Sequence, residues 1–487
     1  MPQRSIGQPV NLSQVGKKGF AHLLVIVLTS RASAFIAQWV MGIFLFPEDF
    51  GLIAIISIVY LLASGFKEVG LYQILQEHRD DFESQAPSLT ASAQILNLSG
   101  VALLLVAAPI MAEHYHDPRL LWITVVLALT MPFNIAALPY KARSAIAFNF
   151  KRISRVESVS ALASNLSMAG LAAAGAGIYS FVASQVILAL VTFLMYRWGQ
   201  PRIASPLWPG ASRLRAFFKR CKWLIVSSYL NNVATRGEYL VLSLILSKAA
   251  LGLFYFSYQL MAAAVQLIGM ALNHLLLPLF SAIRNDAARV RSGLHKAGHA
   301  LSLMSGALCL SLLVWFPFVI RHVWSGKWDA AISLTLIVTA AVPPRLLSSP
   351  LGSSALEAMA RYRERGILSL VDALTLIVFV WIGGQFFGVE GACVAMAAQR
   401  LSAGMLFYFA AASACGLRTR MAFYQLMKNQ APYLACVAAL SGYVFLIIGY
   451  NGFIHLGFVH TLAIYAALMV AYVAMNHKRI AEYVLER

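Results

Sequence analysis

The chain has 487 residues, of which 60% are hydrophobic and only 12% are charged. A water-soluble domain carries roughly 25% charged residues, so a soluble globular enzyme is excluded. Aromatic residues make up 11% of the chain, which excludes a disordered polymer. We therefore predict an all-α polytopic membrane protein.

Apolar segments of membrane-spanning length follow one another along the chain. A membrane helix needs about 20 apolar residues, so fourteen helices would use roughly 280 residues. We predict fourteen such helices, at residues 20–46, 50–75, 89–111, 120–140, 156–175, 178–196, 222–247, 252–280, 298–320, 329–350, 367–387, 390–411, 431–450 and 456–476. The shortest breaks have the Gly, Pro or polar content of tight turns. They are FPEDFG (46–51), GAGIYS (175–180), SKAALG (247–252) and FFGVEG (386–391).

The net charge of +19 is distributed unevenly between the two sides of the predicted membrane. With the N-terminus in the cytoplasm, the cytoplasmic segments hold 29 Lys and Arg residues and the outer loops hold 4. Basic residues stay on the cytoplasmic side of membrane proteins. The asymmetry therefore predicts that both termini lie in the cytoplasm, and nucleic-acid binding is not expected.

Short sequence matches between the two halves suggest an internal repeat. LFPEDFGL (45–52) resembles LSKAALGL (246–253), and GIYSFVA (177–183) parallels GVEGACV (388–394). The segment between the halves ends in a basic amphipathic stretch, Arg213–Lys222, which could lie on anionic lipid headgroups or form a solvated loop. We predict a six-helix bundle over 1–196, a cytoplasmic basic linker over 197–222, a second six-helix bundle over 223–411, and two extra helices with a cytoplasmic tail over 412–487.

Motifs for catalysis and energy coupling are absent from the sequence. It contains no GxxxxGK[ST], no HExxH and no GxSxG, so P-loop ATP hydrolysis and the zinc-protease and serine-hydrolase chemistries are not expected. His295 and His299 have metal-ligand spacing, but no third ligand is near in sequence. We expect no enzymatic activity, no metal and no cofactor.

Three arginines lie near the middle of predicted spans: Arg31, Arg236 and Arg400. A central arginine opposes insertion by about 2.5–3.5 kcal/mol, so it normally faces protein or a watery cavity. Each could pair with a buried carboxylate or a helix carbonyl. Together they could instead line a cationic cavity for an anionic substrate, because guanidinium groups hold phosphate oxygens bidentately.

The intramembrane acids are candidates for pairing or for coupling to an ion. Glu238 is two residues from Arg236, so the two side chains point to different faces of one helix. Lys67, Glu68, Glu157, Arg345, Glu357 and Asp372 sit nearer the cytoplasmic ends of their spans, where snorkelling to the interface is the simpler interpretation. From this set we add Lys67 to the candidate substrate-binding residues, and Glu68 and Asp372 to the candidate coupling or pairing residues.

An ordered set of segments resembles one family of membrane proteins. In the first half the segments are LFPEDFGLIA (45–54), FKEVGLYQILQ (66–76), FNFKRISRVESVSALAS (148–164) and GAGIYSFVASQ (175–185). In the second half they are FKRCKWLIVSSYLNNVATRGEYLVLSLILSKAALGLFYFSYQL (218–260), LLLPLFSAI (275–283) and VWSGKWDAAISL (323–334). To about residue 415, the chain resembles the polysaccharide-exporter branch of the multidrug/oligosaccharidyl-lipid/polysaccharide (MOP) exporter superfamily, which are flippases for lipid-linked oligosaccharides.

This resemblance implies two six-helix bundles in a V around a central cavity, with two further helices packed outside. It implies alternating access for a polyprenyl-diphosphate-linked oligosaccharide used in exopolysaccharide, capsule or O-antigen assembly. The implied partners are membrane lipids, a polysaccharide polymerase and a glycosyltransferase.

Two other functions stay open at this point. An ion-coupled multidrug exporter of the same superfamily would need buried acids in excess, whereas here the deep arginines outnumber the deep acids. A membrane polysaccharide polymerase would need a large outer loop with catalytic residues, and the longest predicted outer loop has about ten residues.

Overall fold

The computed structural model describes residues 29–485 with short gaps, which are Arg31, Val69, residues 204, 205, 207, 284 and 285, and residues 347–350. All regular structure in the described residues is helical, and no β-strand occurs among them. This is the expected outcome for an apolar chain in lipid, because a helix satisfies every backbone hydrogen bond within its own segment.

Eight helices form the first part of the described chain. They are α1 (Ala32–Phe44), α2 (Pro47–Glu68), α3 (Leu71–Glu77), α4 (Phe82–His114), α5 (Arg119–Ile146), α6 (Phe150–Ala173), α7 (Tyr179–Arg197) and α8 (Ala211–Ile245).

Among the described residues, the second part contains nine helices, a π-helical turn at Val444–Ile448 and a short π-helical segment at residues 351–353. The helices are α9 (Lys248–Ile283), α10 (Ala287–Val323), α11 (Ala331–Ala340), α12 (Val342–Leu346), α13 (Ser354–Ala358), α14 (Tyr362–Ala414), α15 (Thr419–Tyr443), α16 (Gly449–Ile454) and α17 (Phe458–Leu485).

Among the described residues, seven helices are long and apolar enough to cross a membrane, judged by length and composition. They are α4, α5, α7, α10, α14, α15 and α17. The prediction of a multi-pass helical membrane protein is confirmed. The count of fourteen spans stays a prediction.

The turns predicted from Gly, Pro and polar residues fall where helices end or where one helix is sharply kinked. GAGIYS falls where α6 ends at Ala173 and α7 begins at Tyr179. FFGVEG falls inside α14, where Gly388 has φ 65° and ψ −153° and so joins two helices across a sharp kink. Glycine suits this position because it adopts positive φ without the steric penalty of a side chain.

The chain divides into two compact units, each described here by itself. The first unit contains residues 1–45 and 55–232, and the second contains residues 46–54 and 233–487. In the first unit, α4 packs on α5, and α7 packs on both α5 and α6. The predicted linker over 197–222 includes the first three turns of α8, and the predicted domain limits stay predictions.

In the first unit, two arginines bind the end of α7 and the chain that follows it. Arg143 binds both carboxylate oxygens of Glu83, at 2.9 and 2.7 Å, and also donates to the carbonyl of Pro201 at 2.9 Å. Arg152 donates to the carbonyl of Tyr196 at 2.9 Å. Part of the large positive charge is therefore used for packing at this end of the unit.

In the second unit, the start of α2 and the start of α9 meet backbone to backbone. A side-chain carbon at Gly51 would collide with the Lys248 carbonyl, and one at Gly252 would collide with the Pro47 carbonyl. Beside this contact Phe50 lies fully buried with its ring 5.0 Å from the Trp328 ring. The two glycines therefore allow an approach that no other residue type permits.

Replacing either glycine with alanine should destabilise the protein, because the methyl group would meet backbone atoms that cannot move aside. Gly51→Ala and Gly252→Ala are each expected to lower the free energy of unfolding by about 1–3 kcal/mol. Gly170→Ala is the matched control, since Gly170 is helical and a Cβ there would meet nothing within 4 Å. Thermal unfolding of the purified protein in detergent would measure the difference. Equal melting temperatures for all three variants would contradict the proposed close contact.

Candidate functional site

Helix α8 places two opposite charges on different faces. Glu238 is completely buried, whereas Arg236 is exposed. Residues two positions apart on an α-helix are rotated by roughly 200° about its axis. This rotation accounts for the difference in exposure between Glu238 and Arg236. Both carboxylate oxygens of Glu238 are buried and have no hydrogen-bond partner among the described residues. A buried carboxyl group in this condition is either protonated or stabilised by a nearby positive charge.

The kink at Gly388 folds α14 back on itself and brings together residues that are far apart in sequence. Asp372 comes from the first arm, and Gln399 and Arg400 come from the second. The Gln399 side chain donates to Asp372 Oδ1 at 2.7 Å, and the Arg400 guanidinium lies 3.6 Å from the same oxygen. Arg400 and Asp372 therefore form an ion pair that is mostly shielded from solvent.

A second arginine reaches this region from the break between α11 and α12. Arg345 follows two consecutive prolines, and its guanidinium carbon lies 5.3 Å from the centre of the Tyr258 ring. Arg345 and Arg400 both line one small cavity whose other walls are mostly apolar. Its volume of about 10 Å³ leaves room for roughly one water molecule.

The opposite charges in this region attract one another. Glu238 is attracted to the guanidinium groups of Arg400, Arg345 and Arg236. In Arg400, Nε and one terminal nitrogen are buried without a hydrogen-bond partner among the described residues. We call Glu238, Arg345, Asp372, Gln399 and Arg400 the charged cluster. Arg400 therefore retains hydrogen-bonding capacity that no described residue uses.

The structure brings together three of the predicted site residues, Arg400, Glu238 and Asp372. Arg236 lies on the same helix as Glu238 but is exposed and is not part of this group. Arg31 lies outside the described residues. Lys67 and Glu68 belong to α2, but their side chains also lie outside the described part of the structure.

Arg345 was not among the predicted site residues, because its place near the end of a predicted span favoured the membrane interface. The two prolines before Arg345 were the available signal, because they end a helix and redirect the chain. Among the described residues, no group of three or more His, Cys, Asp and Glu residues could hold a metal ion.

A family model described as "Polysaccharide biosynthesis protein" matches residues 40–333. The chain belongs to this family. The predicted resemblance to a polysaccharide family is therefore confirmed.

Two curated proteins are similar to this chain in sequence. The teichuronic acid biosynthesis protein TuaB of Bacillus subtilis (strain 168) is 23% identical over 321 residues, which are 65% of this chain and 66% of TuaB. The match thus spans just under two thirds of TuaB. An uncharacterized membrane protein in the cps region of Klebsiella pneumoniae is 20% identical over 395 residues, covering 78% of this chain and 79% of that protein.

Solved structures establish the fold of this family member. The lipid II flippase MurJ in an inward closed conformation superposes with a TM-score of 0.73 at 12% identity, covering 94% of this chain and 99% of MurJ. An inward-facing MATE-family multidrug resistance transporter of the MOP superfamily gives a TM-score of 0.63 at 11% identity, covering 82% of this chain and 98% of the transporter. The predicted fold class is confirmed.

Removing Asp372 should destabilise the protein, because Arg400 would lose its ion-pair partner inside the helices. Asp372→Ala is expected to lower the free energy of unfolding by about 3 kcal/mol or more. The matched control is Glu364→Ala on the same helix, which breaks the half-exposed Arg361–Glu364 pair and should cost about 0–1 kcal/mol. Thermal unfolding in detergent would compare the two variants. Equal losses of stability would contradict a larger contribution from the Arg400–Asp372 pair.

Proposed function

We propose that this chain is a flippase that moves a polyprenyl-diphosphate-linked oligosaccharide repeat unit across the bacterial cytoplasmic membrane by alternating access. Membership of the polysaccharide biosynthesis family and the fold shared with MurJ and MATE transporters support this proposal. The single observation that carries it is the meeting of Arg345 and Arg400 at one cavity within the helices.

A diphosphate is the part of the substrate that most needs help in crossing the hydrocarbon layer. It is strongly anionic, and the layer is about 30 Å thick. Guanidinium groups bind phosphate oxygens through paired, charge-assisted hydrogen bonds. Arg400 has buried nitrogens available for such bonds, and Arg345 reaches the same cavity. We propose that both bind the diphosphate when the cavity opens, with Arg31, Arg236 and Lys67 adding positive charge along the route.

The acids of the charged cluster act in this proposal as internal counter-ions. Asp372 and Glu238 neutralise the arginines while no substrate is bound, which reduces the free energy of burying them. During binding the phosphate replaces the carboxylates, and during release the carboxylates replace the phosphate. Protonation of Glu238, Asp372 or Glu68 would then couple the cycle to pH.

The rest of the substrate makes smaller demands on the protein. The polyprenyl tail stays in the bilayer, and the sugars travel through the cavity with the diphosphate. No bond is made or broken, so no enzymatic chemistry is required. The repeat unit serves exopolysaccharide, capsule or O-antigen assembly, with a glycosyltransferase supplying it and a polymerase consuming it on the other side. Both termini lie in the cytoplasm.

Loss of either cavity arginine should stop export while leaving the protein in the membrane. In a strain lacking the gene, wild-type protein should restore surface polysaccharide, whereas Arg345→Gln and Arg400→Gln should each reduce it by about tenfold or more, since each removes charge-assisted hydrogen bonds. The control is Arg363→Gln, because Arg363 is exposed on α14. Polysaccharide yield and lipid-linked repeat units in each leaflet would be measured at matched protein levels.

The leaflet measurement separates the proposed function from its alternatives. Repeat units held in the cytoplasmic leaflet support the flippase. Normal polymer with new sensitivity to cationic drugs would replace it with the multidrug exporter. Repeat units that reach the outer leaflet but stay unpolymerised would replace it with the polymerase.

A further inference from the structure

Two consecutive prolines leave the end of α11 without its normal hydrogen bonds. In an α-helix the carbonyls of Thr339 and Ala340 would accept from the amides of residues 343 and 344. Both of those residues are proline and carry no amide hydrogen. An orphaned carbonyl inside the membrane is costly unless another group donates to it.

Side chains from two other helices supply the missing donors. The Cys309 thiol of α10 donates to the Thr339 carbonyl, with 3.0 Å between sulfur and oxygen. The Tyr433 hydroxyl of α15 donates to the Ala340 carbonyl at 3.2 Å. The thiol sulfur and the hydroxyl oxygen are themselves 3.1 Å apart. Both side chains are almost completely buried, so water does not compete for these carbonyls.

The α11–α12 break is followed immediately by Arg345, a residue of the charged cluster. Helix α12 resumes with the amide of Arg345 donating to the Ala341 carbonyl at 3.3 Å. Ala341, Val342 and Arg345 all line the cavity that also contains Arg400. The direction in which the chain leaves α11 therefore determines where the Arg345 guanidinium lies.

We propose that Tyr433, supported by Cys309, is a positioning residue for Arg345. Its hydroxyl holds the α11–α12 break in the geometry that turns Arg345 toward Arg400. Helix α15, which lies outside the segment matched by the family model, thereby takes part in forming the anion site. The importance of that site rests on the proposed function, whereas the effect on the α11–α12 break does not.

A tyrosine on α17 offers a control that removes a buried hydrogen bond from α10 without removing one from the α11–α12 break. The Tyr472 hydroxyl of α17 donates to the carbonyls of Ser302 and Leu303 on α10, both at 3.1 Å. Tyr472→Phe and Tyr433→Phe each remove one buried hydroxyl from a C-terminal helix. They differ in whether the lost hydrogen bond belongs to the α11–α12 break.

Hydrogen–deuterium exchange of the purified full-length protein tests the structural part of this proposal. We expect Tyr433→Phe to speed exchange of the amides at residues 341, 342, 345 and 346 by about tenfold relative to wild type, as expected for loss of one buried hydrogen bond. Tyr472→Phe should leave this segment unchanged. Cys309→Ala should act in the same direction as Tyr433→Phe, and Cys309→Ser, which keeps a donor, should restore slow exchange. Equal effects of Tyr433→Phe and Tyr472→Phe on the segment would overturn the proposal.

Binding of inorganic diphosphate, measured by calorimetry, tests the consequence for the anion site. Tyr433→Phe should weaken binding about fivefold, and adding it to Arg345→Gln should produce no further loss, because Tyr433 acts through Arg345. A full additional loss in the double variant would overturn the positioning role. If wild type binds no diphosphate, or Arg345→Gln binds as wild type does, the proposed substrate site fails, and the exchange result alone then decides whether Tyr433 positions the break.

Discussion

Inside a membrane, every backbone carbonyl and amide must find its partner within the protein. This constraint accounts for the all-helical architecture of the described residues, and it also determines which side chains accompany each interruption of a helix. At the α11–α12 break, two prolines remove two donors, and Cys309 and Tyr433 replace them. The interruption is stable only because α10 and α15 are there to complete it. A site built at such a break therefore depends on helices that do not themselves line it.

Buried charges must also be stabilised, and in the charged cluster the residues that do so all belong to the second unit. Arg400 would be costly at this depth alone. Asp372 pairs with it, Gln399 holds Asp372, and Glu238 adds further attraction. The pairing is incomplete, since nitrogens of Arg400 and both oxygens of Glu238 keep unused hydrogen-bonding capacity. Incomplete pairing favours ligand binding more than a fully satisfied ion pair does, because a ligand has to displace fewer bonds in order to bind.

Composition and local pattern were sufficient to predict the fold class and part of the site. Long apolar runs predicted the helices, FFGVEG predicted the interruption in α14, and the two-residue spacing predicted opposite faces for Arg236 and Glu238. Arg400 was recognised from its position inside an apolar span. The contact of Asp372 with Gln399 and Arg400 could not be predicted, because it depends on how two arms of a kinked helix align. The contacts of Arg345 could not be predicted for a similar reason: hydropathy gives depth along one helix, whereas the surroundings of Arg345 depend on the path that the chain takes through Pro343 and Pro344.

The close contact between α2 and α9 has the pattern of an isologous interface. Gly51 and Gly252 occupy the same place in LFPEDFGL and LSKAALGL, and so do Pro47 and Lys248. Gly51 meets the Lys248 carbonyl and Gly252 meets the Pro47 carbonyl, so the two contacts are equivalent. Residues pair in the same way across the two-fold axis of a symmetric dimer. In a dimer of identical chains, one substitution at this glycine would alter both sides of the contact at once. In a single chain each side can change independently, so each half needs its own glycine to admit the other half's backbone carbonyl.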